Sequence, residues 1–454
     1  MATSLTSRFC GGELSLEIPG GWEIAAEVKP RPAAGLADPG GALRSALAKP
    51  IGCTPLSRED VYGKKIVLAV DDITRPAPLH RYFGDLVGWL AASGARREDL
   101  LVLNALGIHR PMTQAEVEGK LGKDAVEGVR WENHDCKNMS KLAEIGRTSR
   151  GTDVILNKRL AEADIILCVG AIEPHPLLGF GGGSKMILPG LAHEETIAQN
   201  HMQGVSPGMY NYIGVHESPM RLDIEEAAGM LKKRIFIVNA LMNDRLEICR
   251  FVCGDPVAAH REGVKAVEEM NGSRVAEKAD VAITFSNPMN ADLRQGMKSI
   301  ANVEPCVKEG GTVVAFLECK NGVGDVAVPP KSLPHGVLRT VLRVLGRDRL
   351  LWFVDKVKKG AGVEERFLAH FSLQVARKIE IFIHSPNLPP DLGKRMGVFR
   401  QFPDPQAMIA AAAARAPRNA RVLLFPHGGV TYPILPGVAT RTSPCYSATP
   451  LCIA

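Results

Sequence analysis

Short runs of apolar, largely β-branched residues recur along this chain, each followed by a polar loop and then a helical pattern, and this order restricts the fold more than any other feature. An unbroken apolar run suits a strand covered on both faces, as in a parallel sheet. The first run is residues 65–70 (KIVLAV), ending on DDITRPAP and followed by a helical stretch at 82–95. The second, 100–104, ends on GIHRPMT, where Thr113 is placed to cap the helix TQAEVEGKL. Residues 164–169 end on GAIEPHP, and 234–239 form a fourth run. After the amphipathic stretch 257–270, which Asn271, Gly272 and Ser273 should stop, further strands are expected at 280–285, 312–316, 350–354, 379–383 and 422–425. The reading is an α/β protein: two α/β domains with mainly parallel sheets, residues 1–272 and 273–425, and an extended tail, 426–454, returning to the first.

A length of 454 residues, 45% hydrophobic and 23% charged, is what two ordinary globular cores require. The net charge of +6 is small for that length and no run of five Lys or Arg occurs, so no nucleic-acid partner is expected. No segment approaches the roughly 20 apolar residues of a membrane span, and the first residues lack the apolar run of a signal peptide. The expected setting is cytoplasmic, with no membrane partner. Ten cysteines are scattered singly, as in a protein of reduced thiols, and Cys249 with Cys253 lacks the second pair of a zinc site.

In open parallel sheets ligands bind beyond the carboxyl ends of the strands. Those ends carry Asp71, Asp72, Thr74 and Arg75, then His109 and Arg110, then Glu173 and His175. Arg75 can hold a carboxylate or phosphate in a bidentate fork while Asp72 orients it or a neighbouring imidazole; the other reading is a loop-closing salt bridge. A lone loop histidine is usually just solvated, but two at equivalent strand ends suit acid/base work near neutral pH. The segment GFGGGSK, 179–185, has the glycines of a phosphate cradle, without the order of a Walker A loop or the spacing of a dinucleotide fingerprint; a flexible lid is the alternative. An unbroken helix would put His201 roughly four to five turns beyond Lys185, as a metal ligand or as a capping or surface residue. Arg294 and Lys298, with Gln295 between them, share a face if their segment is helical, as substrate-closing donors or as solvated cations.

Taken in order, DDITRP, GIHRP, HPLLGFGGGSK, QNH and QGMK resemble the lactate racemase family, and the resemblance covers most of the chain. It implies a racemase or epimerase of a small 2-hydroxy acid using the nickel-pincer nucleotide (pyridinium-3,5-bisthiocarboxylic acid mononucleotide nickel), loaded by cofactor-synthesis proteins. By that resemblance Lys185 carries the cofactor covalently, His201 ligates nickel, and Gly181, Gly182 and Gly183 contact its phosphate. His109 and His175 take and return the hydroxyl proton, while a hydride moves from the carbinol carbon to the cofactor ring and back onto the other face. Arg75, Gln295 and Lys298 hold the substrate carboxylate and Asp72 supports the site. The first domain then binds the cofactor, the second closes over the substrate, and the active site lies in the cleft between them. One departure is Arg294, where lactate-specific members often carry an aromatic residue; it points to a larger or more acidic substrate, malate-like or a sugar acid. Residues 325–366 also exceed a compact domain of this kind. Two competing readings are a nucleotide-dependent oxidoreductase with a diffusible cofactor, opposed by the missing fingerprint, and a non-catalytic nickel-cofactor binding protein, opposed by the paired histidines.

Overall fold

The computed structural model describes residues 3–204, 210–324, 326–330 and 363–436, together with isolated positions between 336 and 356. The early runs form one six-stranded sheet in the order Ile248–Gly254, Arg234–Met242, Ile165–Ala171, Ile66–Val70, Leu100–Asn104, Arg130–Asn133. Its neighbours are parallel, except that Ile248–Gly254 runs antiparallel at the edge. Every residue of Ile66–Val70 and Leu100–Asn104 is buried, yet the two faces serve different cores. Ile66, Leu68 and Val70 pack with Leu86, Val87 and Leu90 of the helix Phe83–Ala92. Val67 and Ala69 pack with Ile197, Ile224 and Ala227 on the other side. Period-two alternation therefore persists inside an unbroken apolar run, because helices cover both faces.

The later runs form a second six-stranded sheet in the order Arg400–Gln401, Glu380–His384, Val307–Phe316, Ala279–Phe285, Arg421–Phe425, Glu23–Glu27, parallel throughout. The protein is thus α/β, with two large, mainly parallel sheets. The strand expected at 350–354 lies outside the described residues apart from Trp352, as do most of 331–362 and the tail beyond 436.

The chain start is a correction to the expected division at 272. Glu23–Glu27 is the sixth strand of the second sheet, and the hairpin of Thr3–Phe9 with Gly12–Ile18 packs Leu5, Leu16 and Ile18 against Phe285, Phe316 and Phe382. The strand EIAAE has no apolar run to announce it, and its partner lies near the other end of the chain. Burying each such side chain contributes about 1.5–3 kcal/mol, which fixes the hairpin to the second unit. The tail crosses the opposite way. Tyr432–Ile434 pairs with Gly272–Arg274, and Tyr432 packs on Ile172 and on the Phe180 ring, 6.0 Å between centroids. Among the described residues no helix is long and apolar enough to cross a membrane, and no group of three His, Cys, Asp or Glu is placed to hold a metal.

Candidate active site

A cavity of about 300 Å³ lies beyond the carboxyl ends of the first sheet and is closed by the helix Leu293–Val303 of the second unit. Strand Ile66–Val70 delivers Asp71 and Asp72, both buried. Asp72 Oδ2 accepts from His109 Nδ1 at 2.5 Å, and its Oδ1 accepts from the Thr74 amide at 2.8 Å and the Thr74 hydroxyl at 2.5 Å. Of the two readings of this loop, Asp72 therefore orients the imidazole. Burial alone would raise its carboxyl, but His109, Arg75 and Thr74 outweigh that and hold it well below the usual carboxylate range. With Nδ1–H donated to Asp72, a neutral His109 carries its lone pair on Nε2. Arg75 lines the same cavity, whereas Arg110 turns outward and forks onto Glu116 at 2.6 and 2.9 Å.

Lys120 was not foreseen. Its Nζ bonds Asp71 at 3.0 Å and the carbonyls of Arg75 and Ala77 at 2.7 and 3.0 Å, bracing the loop that carries Arg75. Nothing near it in sequence announces this role, because its partners lie more than forty positions earlier.

His175 stands on the short strand Pro174–His175, paired with Gly179–Phe180. Its Nδ1 accepts from the Leu177 and Leu178 amides at 3.3 and 3.4 Å, so the neutral ring carries its proton on Nε2. Burial, then the cations Lys185, Lys298 and Arg75, push its pKa well below the ordinary histidine value. Glu173, two residues earlier, meets Lys298 Nζ at 3.0 Å across the cleft. Burial would raise Glu173, but Lys298, Arg75 and Lys185 hold it down at about 2.

The glycine loop is shaped more by packing than by anion approach. Gly179 has φ +77°, and a Cβ there would lie 1.7 Å from the Val215 carbonyl oxygen. Gly181 and Gly182 line the cavity, but Gly183 is not among its lining residues, a correction to the expected three-glycine cradle. The Gly181 amide donates to the Glu173 carbonyl at 2.7 Å and the Gly183 amide to Asn239 Oδ1 at 2.8 Å, because the chain turns there into the helical turn Gly183–Met186. These two amides are committed within the protein.

Lys185 lies on that turn and faces the cavity, 9% exposed; burial and then Arg75 push its pKa well below the lysine norm. The helix does not run unbroken to His201. The chain reverses after Met186 and starts the helix Glu194–Gln203, which brings His201 back to the cavity that Lys185 lines. His201 Nδ1 donates to the Ile197 carbonyl at 2.8 Å, leaving the lone pair on Nε2, and burial lowers its pKa to about 4. Arg294, Gln295 and Lys298 line the cavity from the second unit. Gln295 is 2% exposed, with no partner for Oε1 among the described residues. One cavity thus gathers every expected site residue except Gly183.

A family model described as Lactate racemase N-terminal domain matches residues 10–209. The chain is 32% identical over 316 residues to the lactate racemase of Thermoanaerobacterium thermosaccharolyticum, covering 68% of this chain and 73% of that protein. It is 34% identical over 287 residues to the lactate racemase of Lactiplantibacillus plantarum, covering 62% and 66%. In structure it is similar to the lactate racemase apoprotein of the former organism, with a TM-score of 0.79 at 23% identity over 95% of this chain and 100% of that one. A protein from Thermotoga maritima aligns with a TM-score of 0.64 at 20% identity over 88% and 99%. At these identities the two structures speak for the fold alone.

Proposed function

This chain belongs to the lactate racemase family, and on that premise we propose that it is an isomerase that interconverts the two hands of a 2-hydroxy acid, with His109 and His175 as its acid/base pair. The observation that carries this reading is the 2.5 Å bond from His109 to Asp72 in a cavity also lined by His175, Arg75 and Lys298. Arg75 and Lys298 would hold the substrate carboxylate, with Gln295 beside them. His109 takes the hydroxyl proton at Nε2, and Asp72 stabilises the imidazolium that forms. His175 presents its Nε2–H to substrate oxygen. Burial and the neighbouring cations keep it neutral in the free protein; an anionic substrate held by Arg75 and Lys298 favours its protonation, the form that returns a proton, and Nδ1 then takes up the second proton and gives up its two long bonds from the Leu177 and Leu178 amides.

The side chains fit a lysine-tethered nickel-pincer nucleotide. Lys185 is held towards the neutral amine, the form able to make the covalent bond, and His201 offers Nε2 as a neutral ligand suited to nickel. A single imidazole is enough where the remaining ligands arrive with the cofactor. When bound, the group supplies the hydride acceptor for the carbinol carbon. Gly181 and Gly182 would lie along the nucleotide, and cofactor-synthesis proteins are the implied partners. Protein made together with such enzymes should carry added mass that is lost in Lys185→Ala, and should racemise its substrate in a chiral assay. An active protein with unmodified Lys185 and no nickel would overturn this reading.

Arg294 on the cavity wall favours a substrate larger or more acidic than lactate, malate-like or a sugar acid. A second reading follows from the apolar wall of Met297, Phe371, Val375, Val398 and Phe399, which suits a longer apolar side chain. Racemisation rates for lactate, malate, gluconate and 2-hydroxy-4-methylpentanoate separate the two. Clear preference for lactate over malate sinks the acidic reading, and preference for the branched acid selects the apolar one.

A further inference from the structure

The helix Pro219–Met230 lies behind the cavity and carries two fully buried side chains of opposite charge, Arg221 and Asp223. Arg221 Nη2 donates to the Phe180 carbonyl at 2.6 Å and Nη1 to the Gly182 carbonyl at 3.2 Å. His260, also fully buried, donates from Nε2 to the Gly181 carbonyl between them at 2.8 Å. Three successive carbonyls of the loop before Lys185 are therefore held from behind. Both terminal nitrogens of Arg221 go to carbonyls rather than to a carboxylate, a costly use of a buried charge unless the loop's position matters.

Asp223 serves a different neighbour. Its Oδ1 accepts from the Thr148 hydroxyl at 2.6 Å, and its Oδ2 accepts from the Thr152 hydroxyl and from Asn200 Nδ2, both at 2.8 Å. Asn200 Nδ2 also reaches the Met220 carbonyl at 3.3 Å. Asn200 is fully buried and immediately precedes His201. Residues two apart on a helix point roughly 200° away from each other, so one helix reaches the glycine loop with Arg221 and the His201 helix with Asp223.

We infer that this helix is a gauge that sets the distance between Lys185 and His201, with Arg221 and Asp223 as positioning residues. The inference rests on the reading of Lys185 and His201 as the two attachment points of one rigid cofactor. Metal–ligand distances tolerate only about 0.2 Å, so two anchors on separate elements need a common support.

The test uses wild-type protein and variants, each made with the cofactor-synthesis enzymes. Intact mass reads the Lys185 adduct, competition with a chelator reads nickel retention, and thermal unfolding reads the fold. Asn200→Ala leaves both threonine bonds of Asp223 in place; it should keep the adduct but hold nickel roughly tenfold more weakly. Arg221→Lys cannot span two carbonyls and should lower adduct occupancy several-fold. If that variant fails to fold, His260→Leu, which removes one of three carbonyl ties, should show the same selective loss. A loaded wild type whose Asn200→Ala and loop variants match it in adduct and nickel overturns the inference alone. So does a parallel fall of adduct, nickel and melting temperature in every variant. An unmodified wild type overturns the cofactor reading and this inference together.

Discussion

At the scale of single residues, the site depends on which nitrogen of each imidazole holds a proton. Asp72 decides this for His109 by accepting from Nδ1, and two backbone amides decide it for His175 by donating to Nδ1. Asp72→Asn could present its amide nitrogen to His109 and favour the wrong tautomer. We expect kcat to fall roughly 100-fold, KM to move little and the melting temperature to stay within a few degrees, as suits loss of an acid/base group with the fold intact. Steady-state racemisation with thermal unfolding checks this; a near-wild-type kcat would remove His109 from the proposed role. Asp72 and His109 were both legible because each belongs to a short strand-end motif. That they bond each other was not, since 37 positions separate them.

At the scale of elements, the strands and helices follow from local pattern wherever burial is two-sided or a cap is present. The helix Gln114–Leu121 begins where Thr113 accepts from the Glu116 amide at 3.3 Å, with the Glu116 side chain reaching back to the Thr113 amide at 2.8 Å. The hairpin Pro174–Phe180 is different, because its shape rests on one glycine that the Val215 carbonyl approaches closely. Gly179→Ala adds a methyl group where there is no room and at a φ that side chains rarely adopt. It should cost about 1–3 kcal/mol or more in urea unfolding and also lower kcat, because His175 pairs directly with Gly179. Unchanged stability and rate would mean that the loop relaxes freely.

At the scale of the whole molecule, the two sheets meet at the cavity, and the Glu173–Lys298 pair crosses between them. Glu173 is held at about 2 in the folded state, below the ordinary 4.5. A carboxylate depressed on folding contributes stability that is complete above pH 4.5 and is lost as pH falls through 4.5 towards 2, here on the order of 3 kcal/mol at most. Glu173→Gln has no such titration. The stability gap between wild type and variant should narrow from pH 6 to pH 3 in urea unfolding, and a gap constant across that range would show that the pair does not couple to folding.

By itself the sequence determined the α/β class, the position of most central strands and the list of chemical groups at their ends, because parallel-sheet burial and loop chemistry are written in residues that lie next to one another. Tertiary structure decided which of those groups meet. The strand EIAAE joined the far sheet, Gly183 turned away from the cavity, Lys298 crossed 125 positions to Glu173, and Arg221 reached a loop some forty positions back. Each of these contacts depends on a long-range partner that no local pattern specifies, and burial makes such partners necessary, since a buried polar group without one costs more than the contact contributes.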